Sequence, residues 1–161
     1  MTLLLARTIR FDGSDGNVFA RPAGPGEWAV TGGFEFSNWS EADLRGKARQ
    51  AFASGWLGLS SFGRATFVAV ARIEKTELEA AAQALAGHLD TVYGAPSPEA
   101  ARQAAEMELD FMLDLCAGQK PNTLLVVQRE LTEAGVREQF RSITPRDAEI
   151  AQVAVHGTPD G

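Results

Sequence analysis

Gly58-Leu59-Ser60-Ser61-Phe62-Gly63-Arg64-Ala65 lies two substitutions from the phosphate-cradling pattern G-x-x-x-x-G-K-[ST]. Such a loop works because it follows a strand, opens a helix and surrounds phosphates with backbone N–H groups and a lysine. Here the order is reversed: the stretch follows a helical pattern ending near Gly55 and leads into an apolar run reaching Lys75. Arg64 stands in place of the lysine and Ala65 in place of the magnesium-binding hydroxyl. The stretch therefore reads as a joint between helix and strand, with Gly55 as a helix C′ residue able to take positive φ. "GPGEWA" (24–29) has a dinucleotide-type spacing but runs into a strand after a proline, the opposite of the context that function needs. With only His88, His156 and one cysteine, Cys116, no Ser-His-Asp triad and no metal cluster is assigned. No catalytic residue, metal or cofactor is expected.

The charged residues are more informative. Glu99, Gln103, Glu106, Asp110 and Asp114 recur at spacings of three and four, an acidic side of a helix open to water. At about 100° per residue, Glu108 falls instead among Ala101, Ala104, Ala105, Phe111, Met112 and Leu115, the side expected to face the core. A carboxylate there must find a partner or hold a proton. Arg129, in phase with Leu125, Val127 and Leu131, and Arg72, in phase with Val68 and Val70, are the candidate partners. An edge position reaching solvent and a site carboxylate in a pocket are the alternatives. On the ion-pair reading, Glu108→Ala destabilises far more than Glu106→Ala.

Eight aromatics fall between Trp28 and Phe67. They fit a core where the first helix crosses a sheet, or an apolar docking face. Trp39 and Trp56 bracket that helix and are the candidates for exposure and interaction. Trp56, Arg64, Arg72 and Glu108 are the candidate ligand-binding residues, in a pocket between the sheet and the first helix that suits an anionic ligand.

The positioning elements follow from periodicity and turn residues. "LLLARTIRFD" (3–12), "VFARPA" (18–23) and "EWAVTGGFEF" (27–36) read as strands joined by "GSDGN" and "GPG", an antiparallel meander. Ser40 and Asp43 open a helix over about 41–55, and "RATFVAVARIEK" (64–75) reads as an interior strand. Thr76 and Glu79 open a second helix that Gly94 stops; Ser97 and Pro98 open a third, to about Cys116. "NTLLVVQREL" (122–131) is a strand, and 136–143 its returning arm or a helix. Residues 145–161 have no settled reading, with 157–161 a frayed end. One α+β domain is expected: a mostly antiparallel sheet of five to six strands, covered on one face by three helices including an antiparallel helical hairpin.

The 161 residues carry a net charge of −6, distributed unevenly: residues 1–75 hold nine Lys/Arg against seven Asp/Glu, residues 76–161 six against fourteen. The acidic second half disfavours nucleic acid, which needs a basic surface. No apolar run approaches the roughly 20 residues of a membrane span, "MTLLLAR" is too short for a signal peptide, and a single cysteine suits a reducing bacterial cytoplasm.

At "GKARQAFASGWLGLSSFGRATFVAVA" and "VREQFRSITP" the chain resembles a small family of uncharacterised proteobacterial proteins, over most of its length. The resemblance implies a compact α+β protein and an accessory role, and assigns no reaction or functional residue. Two readings of function follow. One is a non-enzymatic accessory or protein-interaction module, with a protein partner or a homodimer. The other is a small-molecule binder or unrecognised enzyme.

Overall fold

The computed structural model describes residues 3–9 and 19–143. Strands β1 (Leu3–Ile9), β2 (Trp28–Val30), β3 (Trp56–Gly58), β4 (Arg64–Ala65), β5 (Phe67–Ile73), β6 (Leu124–Thr132) and β7 (Gly135–Ile143) form one antiparallel sheet in the order β4-β3-β2-β1-β5-β6-β7. Helices α1 (Gly46–Ser54), α2 (Lys75–Tyr93) and α3 (Pro98–Cys116) complete it, with short 3-10 turns at Gly33–Phe36 and Glu41–Asp43. The α+β class holds. Among the described residues the sheet has seven strands where five or six were expected, because the glycine-rich segment contributes β3 and β4, too short to show a period.

Several boundaries moved for identifiable reasons. The strand read over 27–36 ends at Val30, because Gly32 at φ 71° diverts the chain into a 3-10 turn. Residues 19–23 make no regular strand. Their Arg21 carbonyl accepts from Arg64 N and their Ala23 N donates to the Arg64 carbonyl, both at 2.8 Å, which covers the β4 edge. Ser40 and Asp43 do form a capping box, but it caps a 3-10 turn, and α1 starts only at Gly46, where φ is 54°. The box at the start of α2 is Glu74 with Glu77, rather than Thr76 with Glu79. Gly94 ends that helix in the left-handed region (φ 61°), and the Ser97 hydroxyl accepts from Ala100 N ahead of Pro98, both as expected. Residues 136–143 are strand, paired with β6 down to Thr132 opposite Gly135. The readings made for 10–18 and for 144–161 lie outside the described residues.

Register fixes which side chains share a face. Ala6 opposes Ala29 and Val70, Ala29 opposes Gly58, Val68 opposes Leu125, and Val127 opposes Phe140. Trp56, two residues from Gly58, lies on that same side and meets the Phe140 ring at 5.9 Å between centroids. β3 and β7 are five places apart, so a flat sheet at about 4.8 Å per strand would hold them roughly 24 Å apart. The sheet is therefore strongly curled, and Ala6, Ala29, Gly58 and Ala65 give its concave side room to close.

Adjacent residues of a strand point to opposite faces. Leu5 and Ala6, Ala29 and Val30, Trp56 and Leu57 are all fully buried, so β1–β3 are covered on both faces. β5 and β6 show the expected one-sided cover, with Val68, Val70, Leu125, Val127 and Arg129 buried between half-buried or exposed neighbours. In α3 the buried residues are Ala101, Ala105, Leu109, Met112 and Cys116, while Ala104 and Phe111 are exposed. The helix is rotated by part of a turn from the expected face, which leaves Glu108 at its margin.

Candidate functional site

The glycine-rich loop between β3 and β4 does cradle an anion, and the anion is the protein's own. The carboxylate of Glu27, which precedes β2, accepts from Ser60 N at 3.0 Å, Ser61 N at 2.8 Å, the Ser61 hydroxyl at 2.8 Å and Gly24 N at 2.6 Å. Burial alone would raise its pKa; the Ser61, Ser60 and Gly24 hydrogen bonds outweigh that and hold it below the usual carboxylate range. The glycines serve close approach. A Cβ on Gly58 would press into Glu27 Oε1, and one on Gly63 would stand 2.5 Å from the Pro22 carbonyl. Gly55 does not take positive φ. It is extended (φ −87°), and a side chain there would meet the Ala51 carbonyl at 2.8 Å and Arg64 Cβ at 3.0 Å. The loop is a joint, but it connects strands β3 and β4 rather than a helix and a strand, and Glu27 fills the place a phosphate would take.

This joint holds Phe62 in the left-handed region (φ 57°), a conformation unusual for an aromatic residue. Its ring stacks flat on His88 of α2, 3.9 Å between centroids and 1° between planes. His88 Nε2 lies 3.3 Å from Glu35 Oε2. The Tyr93 hydroxyl donates to that same oxygen, and Arg64 Nη2 donates to Oε1. Burial would raise the Glu35 carboxyl, but the Arg64 charge and these hydrogen bonds hold it low. Arg64 is itself lowered to about 10 by burial, against the opposing pull of Glu35. Above the cluster opens a cavity of 510 Å³, walled by Phe19, Phe36, Trp39, Phe62 and the α1 residues Ala48 and Ala51. Lys47 and Arg21 stand on its lining, and neither side chain has a hydrogen-bond or ion-pair partner among the described residues.

Arg64 and Arg129 form a pair. Both donate to the carbonyls of Gly55 and Thr31, and both guanidinium groups lie over Phe36, at 4.6 and 5.2 Å from its centroid. Arg129 also donates to the Phe52 carbonyl at 2.9 Å, and its Nε meets Glu138 Oε2 at 2.6 Å. The ion pair expected for Glu108 is absent among the described residues: Arg129 is taken by Glu138, and Arg72 is exposed on β5. Glu108 lines a second cavity, of 440 Å³, with Glu138.

Of the four residues expected to share a ligand site, only Arg64 lines the cavity beside α1. Trp56 is fully buried in the core rather than exposed, and its indole Nε1 has no acceptor among the described residues. Trp39 is half-buried on the cavity wall, edge-on to Phe36. Sequence reasoning passed over Glu27, Glu35, Tyr93 and Glu138, and weighed His88 for catalysis and metal binding alone. Glu138 alone had a readable signal, since the β6–β7 register sets it directly opposite Arg129. Cys116 is buried, which raises its thiol to about 12 and keeps it unreactive.

No helix among the described residues is long and apolar enough to cross a membrane, and no group of three or more metal-ligating side chains is found among them. A family model matches residues 2–161 and is described as a family of unknown function (DUF6505). No curated protein and no solved structure matches the chain.

Proposed function

Because the chain belongs to that family, whose description assigns no reaction, we propose from the geometry that it binds a small amphipathic anion in the cavity beside α1. One observation carries this reading. The cavity is largely apolar, its half-buried carboxylate Glu35 is already engaged from three sides and paired with Arg64, and the charges on its lining that have no partner among the described residues, Lys47 and Arg21, are both positive. The sequence around it agrees: Leu44 to Arg64 holds four cations and no carboxylate. The volume lies within the range of small-ligand sites. Binding rather than turnover is favoured because Glu35, Arg64 and Tyr93 are fully engaged with one another. An accessory role would then be exercised through that ligand.

The test is calorimetric titration with a series of alkyl and aryl carboxylates of about six to fourteen heavy atoms, each against its neutral amide. The acids should bind, the amides at least about fivefold more weakly, and Lys47→Ala should cost the acid about threefold, the scale of a partly exposed charge contact. Amides binding as tightly as acids, or an Ala51→Trp variant that fills the cavity without loss of binding, would refute the reading.

Homodimerisation is the second reading, favoured by β7, a nine-residue edge strand paired on one side only among the described residues. Light scattering at increasing concentration decides it: a constant monomer mass excludes it.

A further inference from the structure

The 440 Å³ cavity shares no lining residue with the first. It opens between α3, β7 and the end of β2. Its apolar walls are Phe34, Met107, Phe111 and Val136, and its polar walls are Glu108, Glu138 and Thr31. The two carboxylates are not equivalent. Glu138 is neutralised by Arg129, whose remaining donors go to backbone carbonyls, so that pair sums to zero charge. Glu108, half-buried, has neither a hydrogen bond nor an ion pair among the described residues. Around it, Met107 and Phe111 are 72 and 47 % exposed, large apolar side chains held in water one helical turn apart. The concavity thus offers apolar walls, one carboxylate with no direct partner among the described residues and an aromatic rim.

We propose that this cavity is a second ligand site, for a small organic cation: a primary ammonium or guanidinium on an apolar stem. Glu108 is its counter-ion, and Met107 and Phe111 close over the stem. The charge complementarity is specific to Glu108, since Glu138 is already answered. A bare metal ion is a poor occupant, because one free carboxylate among apolar walls gives too few oxygen ligands. An organic cation satisfies both the charge and the apolar surface, and the Phe111 ring adds a face on which a cation can rest.

The methionines make the test local. Met107 stands at the rim and Met112 is sealed in the core, so methyl-labelled methionine gives a reporter and an internal control in one spectrum. The probes are phenethylammonium and its neutral counterpart 2-phenylethanol. Saturable movement of the Met107 methyl resonance with phenethylammonium, with the Met112 resonance nearly still, is expected. Affinity should fall at least about fivefold for 2-phenylethanol, and by a similar factor for phenethylammonium on Glu108→Gln. An unchanged Met112 resonance in that variant shows that the core is intact. Equal affinity for the alcohol, an unaltered affinity in Glu108→Gln, or no movement of Met107 would each overturn the proposal.

Discussion

Glu27, buried, and Glu35, half-buried, keep their charge by different means, the first through N–H and O–H donors, the second through a guanidinium, an imidazole and a phenol. Removing charge from Glu35 leaves Arg64 buried beside Arg129 with no counter-charge. Glu35→Gln should therefore cost about 3–5 kcal/mol, read by urea unfolding, whereas Tyr93→Phe should cost about 1. Both carboxyls are lowered in the folded state. The stability they confer is fully present above the unfolded glutamate value of about 4.3, and it is lost as pH falls through the lower folded values. Glu108 has the opposite sign. Burial and then the Glu138 charge raise it, against Arg129, so its ionised form works against folding at neutral pH and is relieved by acid. Glu108→Gln should raise the melting temperature by about 1–2 °C, reversing the expectation of an ion pair; a fall would show that the carboxylate is held by a partner in the folded state. In the sequence, the phase of Arg129 with Leu125 and Val127 was legible and correct. Its partner Glu138 could be read from the hairpin register, but an expected α3 face centred on Glu108 drew the pairing there and hid the rotation that puts Leu109 and Cys116 inside.

The β3–β4 hairpin was the least legible element, since strands of three and two residues carry no period and its loop resembles a nucleotide motif. What defines it is backbone proximity, and proximity predicts different outcomes at different glycines. At Gly63 a methyl group meets the Pro22 carbonyl, a backbone atom that cannot swing aside. Gly63→Ala should destabilise by about 1–3 kcal/mol, the scale of overpacking. Gly87 sits in the exposed face of α2 with nothing within 4 Å of a built Cβ. Gly87→Ala should stabilise by about 0.4–1 kcal/mol, as a helix interior prefers alanine. Urea midpoints for the two variants should therefore move in opposite directions; movement in the same direction would mean the loop yields where the geometry says it is pinned. The helical hairpin, by contrast, was readable almost to the residue, because Gly94, Ser97 and Pro98 act locally and owe nothing to the rest of the fold.

Over the whole molecule, the curl of the sheet decides where both cavities lie, and no local pattern announces it. Arg129 is the residue that bridges the curl. From β6 it reaches the Thr31 carbonyl at the end of β2 and the Phe52 and Gly55 carbonyls at the end of α1, while its Nε holds Glu138 of β7. Glu35, Arg64, Arg129 and Glu138 thus run in sequence from one cavity to the other. Arg64 retains Thr31 and Gly55 when Arg129 is lost, so the first cavity should keep its floor while β7 loses its tie. Arg129→Met keeps much of the apolar stem but strands Glu138 beside Glu108 and frees the Phe52 carbonyl. A global loss of about 3–5 kcal/mol is expected. Hydrogen exchange under native conditions should show where it falls. Amides of β6–β7 and of the α1 C-terminus should lose protection first, with β1 and β5 changing only by the global amount. Uniform loss across all seven strands would mean that Arg129 contributes to the core at large and that the curl is held elsewhere.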